Sequence, residues 1–194
     1  MAETLHSLRQ EAARCTRCEL YEAATQTVFG EGRANAWLVL VGEQPGDQED
    51  KAGKPFVGPA GRVLAEALDS AGLDRAEIYL TNAVKHFRFE QRGPRRLHKT
   101  PTVTQVRACG PWLAGELEAV APSALGLLGA TAAKAVLGSQ FRLTKDRGRV
   151  LDHDGRSTVA TTHPSAILRT PPEDRDEVLA AFVADLKVLA ELRP

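Results

Sequence analysis

Long apolar runs, disulfide-forming cysteines and net charge are all scarce in this sequence of 194 residues. No apolar run approaches the roughly 20 residues that a helix needs to span a bilayer, so we expect no membrane association. The polar N-terminus, MAETLHSLRQEAARC, does not resemble a signal peptide, which favours a cytoplasmic protein. Because three cysteines are an odd number, metal ligation or catalysis explains them better than a disulfide framework.

The charges balance overall but are unevenly distributed. Lysine and arginine number 25 and so do aspartate and glutamate, yet residues 85–107 hold seven cations against Glu90 alone. The segment GEQPGDQEDK, residues 42–51, instead holds four acids and one lysine. A basic segment beside an acidic one predicts a polyanion-binding surface next to a chemical centre, and a solvated surface loop is the alternative.

Strand and helix patterns alternate along the chain. Short apolar runs predict buried parallel strands at 37–42, 78–84, 124–129 and 158–164. Helical spacing of apolar residues predicts helices at 58–72, 102–120, 131–138 and 173–192. This alternation predicts an α/β fold in a single domain over residues 1–194, with a central sheet of about four parallel strands flanked by helices.

Three polar segments follow predicted strand ends. GEQPGDQED comes after the first strand, TNAVKH at the end of the second and THPSAILR after the fourth. In open parallel sheets, ligands bind in the crevice beyond the carboxyl ends of the strands. We therefore expect these three segments to face one site.

The first of these segments offers both a tight turn and carboxylates. Two glycines and a proline in GEQPG, residues 42–46, let backbone N–H groups approach a ligand. Glu43 and Asp47 supply carboxylates that can polarise a nucleophile or stabilise positive charge. Phe56 is an aromatic residue in a loop, which predicts stacking on a planar ring, with packing into the core as the alternative.

The other two segments carry an amide and an imidazole. Asn82 closes the second strand, and its side chain can donate and accept at once, as reading one edge of a pyrimidine requires. Capping of the strand end is the alternative for Asn82. His163, before Pro164, is predicted to be a fixed imidazole that donates to an oxygen gaining negative charge, and a histidine satisfied within a turn is the alternative.

The cysteines suggest a metal centre. Cys15 and Cys18 form a C-x2-C pair, and Cys109 lies early in a predicted helix. His86 is the best candidate for a fourth ligand because it follows the second strand and precedes the segment that leads to Cys109. This set predicts zinc or an iron–sulfur cluster, and incidental cysteines are the alternative.

Taken together, GEQPG, Phe56, the TN pair at 81–82 and HPSAILR at 163–169 resemble the uracil-DNA glycosylase superfamily. The cysteine pattern resembles its iron–sulfur branch, the family 4 enzymes, although that family has a cysteine where this chain has His86. Family 4 also has Gly-Glu-Ala/Pro-Gly where this chain has GEQPG. With these departures, the basic, histidine-containing segment RGPRRLHKT resembles the X-type uracil-DNA glycosylases (UdgX).

The resemblance covers about residues 12–190 and implies both a fold and an activity. It implies a four-stranded parallel sheet flanked by helices, and a [4Fe-4S] cluster with His86 as the ligand beside the three cysteines. It implies excision of uracil from DNA, in the repair of deaminated cytosine, with uracil as a product. X-type enzymes then stay covalently attached to the abasic site through a loop histidine. The implied partner is uracil-containing DNA, preferably single-stranded, and we expect a monomer.

The resemblance also assigns contacts to the base. Phe56 is expected to stack on the flipped uracil, Asn82 to pair with its O4 and N3 edge, and His163 to donate to O2. Further substrate contacts are expected from three residues of the acidic segment: Gly42, Gln44 and Asp47.

His98, in RRLHKT, is the expected nucleophile. Its neutral imidazole would attack the sugar, with Glu43 orienting the ring and taking its proton. Basic neighbours are expected to lower the pKa of His98 and to bind the phosphates beside the target. The expected DNA contacts are Arg95, Arg96, Lys99 and Ser165.

Other classes of function remain open from the sequence. A conventional family 4 glycosylase turns over and forms no adduct with DNA. A non-catalytic iron–sulfur protein binds nucleic acid through the basic segment and releases no uracil. A zinc protein with the same ligands is colourless.

Overall fold

The computed structural model describes residues 4–194, in which a five-stranded sheet and a two-stranded hairpin are present. The strands are β1 (Leu38–Gly42), β2 (Ile78–Asn82), β3 (Phe89–Arg92), β4 (Arg95–His98), β5 (Ala124–Leu128), β6 (Val150–His153) and β7 (Arg156–Thr161). The helices are α1 (Leu5–Ala12), α2 (Leu20–Ala23), α3 (Asp47–Ala52), α4 (Pro59–Ser70), α5 (Val103–Val120), α6 (Ala130–Leu137), α7 (Leu143–Asp146), α8 (Pro164–Arg169) and α9 (Pro172–Ala190). In this range no helix has both the length and the apolar character to cross a bilayer.

The large sheet has the strand order β2-β1-β5-β7-β6. Its first four strands are parallel, which confirms the predicted fold class. The edge strand β6 pairs antiparallel with β7 through a turn at Asp154 and Gly155, whose φ angles are 52° and 74°. Asp-Gly is a favoured pair for such two-residue hairpin turns, so this signal for a fifth strand was present in the sequence but not used.

Alternate residues of the central strands pack against helices on opposite faces of the sheet. On β1, Leu38 and Leu40 pack into a core formed with α4, α8 and α9. Val39 and Val41 pack into a second core formed with α5 and α6. All four side chains are completely buried, as is typical of parallel strands that are covered on both faces.

Residues 89–98 belong to the basic segment, where no strand is predicted, and they form a β-hairpin. β3 and β4 pair antiparallel, and Phe89 lies opposite His98. Gly93 turns the chain at φ 54°, a left-handed conformation that glycine adopts without a steric penalty. His98 is therefore the last residue of a paired strand.

Candidate active site

The carboxyl ends of the strands bring the predicted segments to one edge of the sheet. Gly42 ends β1 and lies opposite Asn82 at the end of β2. A Cβ on Gly42 would lie 2.3 Å from the Asn82 Oδ1 atom and 2.6 Å from the Phe56 Cζ atom. Gly42 thus makes room for the carboxamide of Asn82 and the ring of Phe56 to approach each other.

Phe56 also approaches His163, which follows β7. The centroids of the two rings are 6.3 Å apart, and their planes make an angle of 28°. Phe56 has a φ of +56°, a strained value for a residue with a bulky side chain. Its carbonyl oxygen would lie 1.8 Å from a Cβ on Gly61, so glycine at position 61 is what lets α4 approach the main chain of Phe56 this closely.

The tautomer of His163 follows from its hydrogen bonds. The Ser165 backbone N–H donates to Nδ1 at 3.1 Å, so the neutral ring carries its proton on Nε2. The Ser165 hydroxyl, predicted to contact DNA, lies 2.8 Å from the same Nδ1 and accepts from Arg169. Burial, to which His98 and Arg169 add, lowers the pKa of His163 to about 4. His163 is therefore a neutral hydrogen-bond donor at neutral pH.

His98 and Glu43, the predicted nucleophile and its carboxylate, lie in contact. The His98 Nε2 atom is 3.4 Å from the Glu43 Oε1 atom. The hydroxyl of Thr131, in the first turn of α6, donates to Oε2 of the same carboxylate. Thr131 is not among the predicted site residues, although it follows the third predicted strand as the other site segments follow theirs.

The pKa of His98 is lowered, as predicted, but the causes differ from the prediction. Partial burial is the main cause, Arg169 adds to the lowering and Glu43 opposes it. The predicted cause is the neighbouring cations of the basic segment, and none of them is among the causes found. The imidazole is neutral at neutral pH, which is the form that a nucleophile requires.

The Arg96 side chain points into the protein, with 14% of it exposed. Its guanidinium lies 2.6 Å from Asp47 Oδ1 and 2.6 Å from Asp50 Oδ2, and it packs over the rings of Phe87 and Phe89. These contacts argue against the predicted contacts of Arg96 with phosphate and of Asp47 with substrate. Both side chains instead hold the hairpin against α3.

Gln44 supports the base of the hairpin. Its Oε1 accepts from Arg88 N at 3.0 Å, and its Nε2 donates to the carbonyl oxygens of Lys99 and Arg88 at 3.0 and 3.2 Å. These bonds engage both ends of the amide, which argues against a substrate contact through this side chain. The Lys99 ammonium pairs with Glu90 at 2.6 Å, and Arg95 is exposed on the hairpin.

The three cysteines lie where the N-terminal segment packs on α5. Cys15 and Cys109 are buried in one apolar cluster, against which Cys18 packs. Trp112 Nε1 donates to Cys15 Sγ at 3.1 Å, and Lys85 N donates to Cys109 Sγ at 3.4 Å. Burial raises the pKa of Cys109 to about 11, and the nearby thiols of Cys18 and Cys15 contribute. Hydrogen bonds to sulfur of this kind are typical of iron–sulfur sites.

His86 fits the role of a fourth ligand. Its Nε2 lies 2.9 Å from the Thr27 hydroxyl, whereas its buried Nδ1 has no hydrogen-bond partner among residues 4–194. Burial lowers the pKa of His86, which favours the neutral form that binds metal. Within the same residues, no three His, Cys, Asp or Glu side chains are arranged to hold a single metal ion. A [4Fe-4S] cluster takes its four protein ligands at separate irons, whereas one zinc ion takes all of its ligands at one centre.

Lys85, counted with the surface cations in the sequence analysis, is completely buried. Its ammonium pairs with Glu116, which is also completely buried, at 2.5 Å. The basic segment therefore presents fewer cations to solvent than the sequence indicates. The sequence does contain a signal for this pair. Glu116 lies among apolar residues of α5, and Lys85 follows a buried strand, so both charges stand in apolar surroundings.

A family model described as the uracil DNA glycosylase superfamily matches residues 29–187, and this chain belongs to that superfamily. The chain is 38% identical to a type-4 uracil-DNA glycosylase of Thermotoga maritima, over 86% of this chain and 84% of the relative. It is 35% identical to a type-4 uracil-DNA glycosylase of Archaeoglobus fulgidus, over 98% of this chain and 94% of the relative. A DNA polymerase of Bacillus phage SP01 is 28% identical over 89% of this chain and 17% of its own length.

Proposed function

We propose that this protein excises uracil from DNA, as the first step in the repair of deaminated cytosine. The observation that carries the proposal is the neutral His163, whose Nε2–H is available beside the stacked ring of Phe56. Asn82 reaches the same place at the end of β2. The names of the relatives from Thermotoga maritima and Archaeoglobus fulgidus support the same activity.

Phe56 and Asn82 recognise the base, and His163 assists cleavage of the bond. A uracil flipped out of the DNA stacks on Phe56, and the Asn82 carboxamide pairs with its O4 and N3 edge. His163 donates from Nε2 to O2, where negative charge gathers as the C1′–N1 bond breaks. The bonding pair leaves with uracil, and the sugar becomes oxocarbenium-like.

Two fates of the sugar are distinguished by the nucleophile that reaches C1′. In the first outcome, conventional turnover, water attacks C1′ and Glu43 takes a proton from the water. The names of the relatives favour this outcome. The contact between His98 and Glu43 favours a second outcome, covalent capture. A ring nitrogen of neutral His98 forms a bond to C1′, and the resulting imidazolium loses its remaining N–H proton to Glu43.

Oligonucleotides that contain uracil test both steps. We expect release of free uracil and a protein–DNA band that survives boiling in detergent, with single-stranded DNA the better substrate. Peptide mapping should find the DNA on the peptide that contains His98. The variant His98→Ser should release uracil and dissociate, because water then has room at C1′, and the matched hairpin variant Arg95→Ser should still form the band.

The possible results separate the candidate functions. Uracil release without a stable band from the unchanged protein would support conventional turnover and reject capture. A band whose peptide lacks His98 would reject the assigned nucleophile. No uracil release at all would leave only the non-catalytic nucleic-acid-binding protein.

We also propose that Cys15, Cys18, His86 and Cys109 hold a [4Fe-4S] cluster. The hydrogen bonds to sulfur and the unpaired Nδ1 of His86 support this set. The cluster would supply structural cross-linking of the N-terminal segment to α5. The isolated protein should be brown and contain iron, and His86→Cys should retain iron better than His86→Ala. One zinc per chain in place of iron would contradict the proposal.

A further inference from the structure

Two buried charges lie between the cysteine-containing helix and the base-recognition strand. Lys85 and Glu116 have side chains with 0% exposure, and the Lys85 Nζ atom is 2.5 Å from the Glu116 Oε2 atom. The proposed reaction uses neither residue directly. Burying a charge costs several kcal/mol per ion, so such a pair is kept only where its hydrogen bonds are well satisfied.

The Glu116 carboxylate is fully surrounded by donors. Its Oε1 accepts from Gly30 N at 2.9 Å and from the Tyr79 hydroxyl at 3.0 Å. Its Oε2 accepts from the Thr81 hydroxyl at 2.8 Å and from the Lys85 ammonium. These bonds come from three separate segments of the chain, so the carboxylate has a fixed position.

The Lys85 ammonium has three protons and three acceptors. Besides Glu116, it donates to the Thr81 hydroxyl and to the main-chain oxygen of Asn82, both at 2.7 Å. All of its donor capacity is therefore used. The last of these bonds reaches the residue whose carboxamide lies against Gly42 in the proposed uracil site.

Lys85 also contacts the cysteine-containing helix α5, to which Glu116 itself belongs. The Lys85 main-chain N–H donates to Cys109 Sγ at 3.4 Å. Glu116 and Cys109 are seven residues apart on α5, which places them about two turns apart on the same face. One lysine thus joins the helix that carries Cys109 to the strand end that carries Asn82.

We propose that the Lys85–Glu116 pair positions the Asn82 carboxamide to bind uracil and fixes the end of β2 relative to Cys109 on α5. This inference rests on the proposed excision of uracil. Without the ammonium, the main-chain oxygen of Asn82 loses its hydrogen-bond donor, and the end of β2 can shift. A displacement of about 1 Å in a substrate-positioning group can cost about 100-fold in rate, so a small shift should be measurable.

The double variant Lys85→Met/Glu116→Gln tests this inference. It conserves side-chain size and removes both charges together, so that no lone charge remains buried. Residue 85 keeps the main-chain N–H that bonds to Cys109. We expect unchanged iron content and visible spectrum, an unchanged DNA concentration at half-maximal rate, and a fall of about 10- to 100-fold in the single-turnover rate constant for uracil release. Selectivity for uracil over cytosine should fall as well.

A second ion pair provides the matched control. Arg147, directly after α7, pairs at 2.7 Å with Asp185 of α9, and Asp185 also accepts from Thr161 of β7. The variant Arg147→Met/Asp185→Asn should lower the melting temperature, with the single-turnover rate of uracil release and base selectivity unchanged. The amide introduced at position 185 keeps an oxygen that accepts from Thr161, so the variant removes the charges and keeps this bond.

The results separate positioning from a structural role. A Lys85→Met/Glu116→Gln protein that is folded and loaded with iron, yet has the original single-turnover rate and selectivity, would overturn the inference. If that protein does not fold, Thr81→Val decides, because it conserves side-chain shape and removes the hydroxyl that bonds both Lys85 and Glu116. We expect Thr81→Val to lower the single-turnover rate several-fold, and an unchanged rate would also overturn the inference. Absence of uracil release by the unchanged protein would instead reject the proposed function.

Discussion

His163 and His98 occupy different surroundings at the same edge of the sheet. His163 caps α8, and a backbone N–H two residues away fixes its tautomer. His98 ends β4 with 48% of its side chain exposed and lies 3.4 Å from Glu43. An enclosed neutral ring suits hydrogen bonding to a charge that develops on one oxygen, whereas a more exposed ring suits attack on a sugar carbon in DNA.

The two histidines also differ in how the chain supports them. The geometry of His163 is set locally, by the turn from β7 into α8. The geometry of His98 depends on residues about 50 positions earlier, because Arg96 joins the hairpin to Asp47 and Asp50. This site thus combines a histidine whose position is set by nearby residues in the sequence with one whose position depends on tertiary contacts. The two should therefore respond differently to mutation.

Replacing His163 should have the largest effect on the rate. His163→Ala removes the donor to uracil O2, and loss of such a donor typically slows a reaction about 100- to 1,000-fold. DNA affinity, measured by filter binding with DNA that lacks uracil, should stay close to that of the original protein. The milder Ser165→Ala keeps the imidazole and the backbone donor, so it should release uracil faster than His163→Ala. Equal rates for His163→Ala and the original protein would show that His163 is not the donor.

Replacing Arg96 should affect the hairpin and hence His98. Arg96→Gln leaves Asp50, whose side chain has 0% exposure, without its cation, and breaking such a buried pair costs about 3 kcal/mol or more in the free energy of unfolding. The adjacent Arg95→Gln is the control, since exposed substitutions usually change stability by no more than about 0.5 kcal/mol. Urea unfolding measures both. With DNA in saturating excess, which offsets the loss of a phosphate contact from Arg95, adduct formation should slow in Arg96→Gln alone. Similar losses in the two variants would show that Arg96 does not hold the hairpin.

Acidification should affect capture before excision. The pKa of His98 is lowered from its usual value, and the pKa of His163 is lowered further, to about 4. Capture should fall as pH drops through the pKa of His98, while uracil release should continue until about pH 4. In one series of pH values, denaturing gels measure capture and chromatography measures the uracil released. Loss of uracil release already near pH 6 would contradict the neutral, buried state of His163.

The same shift predicts how stability depends on pH. The folded pKa of His163 is below the unfolded value of 6.5, so the unfolded chain binds the proton first. Above pH 6.5 the imidazole is neutral in both states, and the free energy of unfolding has its full value. As pH falls toward 4, protonation of the unfolded chain lowers the free energy of unfolding by at most about 3 kcal/mol. Urea unfolding of the original protein and of His163→Asn should diverge in this window. Parallel curves would contradict the lowered pKa.

Thr131 offers the smallest effect and the finest test of the support of His98. Thr131→Val removes the hydroxyl that donates to Glu43 and conserves the shape of the side chain. Loss of one such hydrogen bond to a charged group costs about 1.5–3 kcal/mol at most, and this part-buried site should lose less, so we expect a several-fold slower capture. Thr131→Ser keeps the hydroxyl and should behave like the original protein. If both variants capture DNA equally fast, Thr131 does not position Glu43.

The sequence predicts those parts of the fold and site that depend on short segments. Four strands and the turn positions of Asn82 and His163 follow from apolar runs that end in polar residues. The partners of Arg96 and Lys85 do not follow, because opposite charges far apart in sequence carry no information about which of them pair. The hairpin also does not follow from the sequence. Its strands are short and charged, and the packing of Phe87 and Phe89 under Arg96 fixes them.

The approach of Phe56 to two glycines also determines how substitutions at these positions depend on each other. A Cβ at position 61 would collide with the main-chain oxygen of residue 56, which every amino acid has. A Cβ at position 42 would collide only with side-chain atoms of Phe56 and Asn82. In a library randomised at all four positions, folded clones should keep glycine at 61 unconditionally. Alanine at 42 should appear only together with smaller residues at 56 and 82, which is epistasis at one glycine and strict invariance at the other.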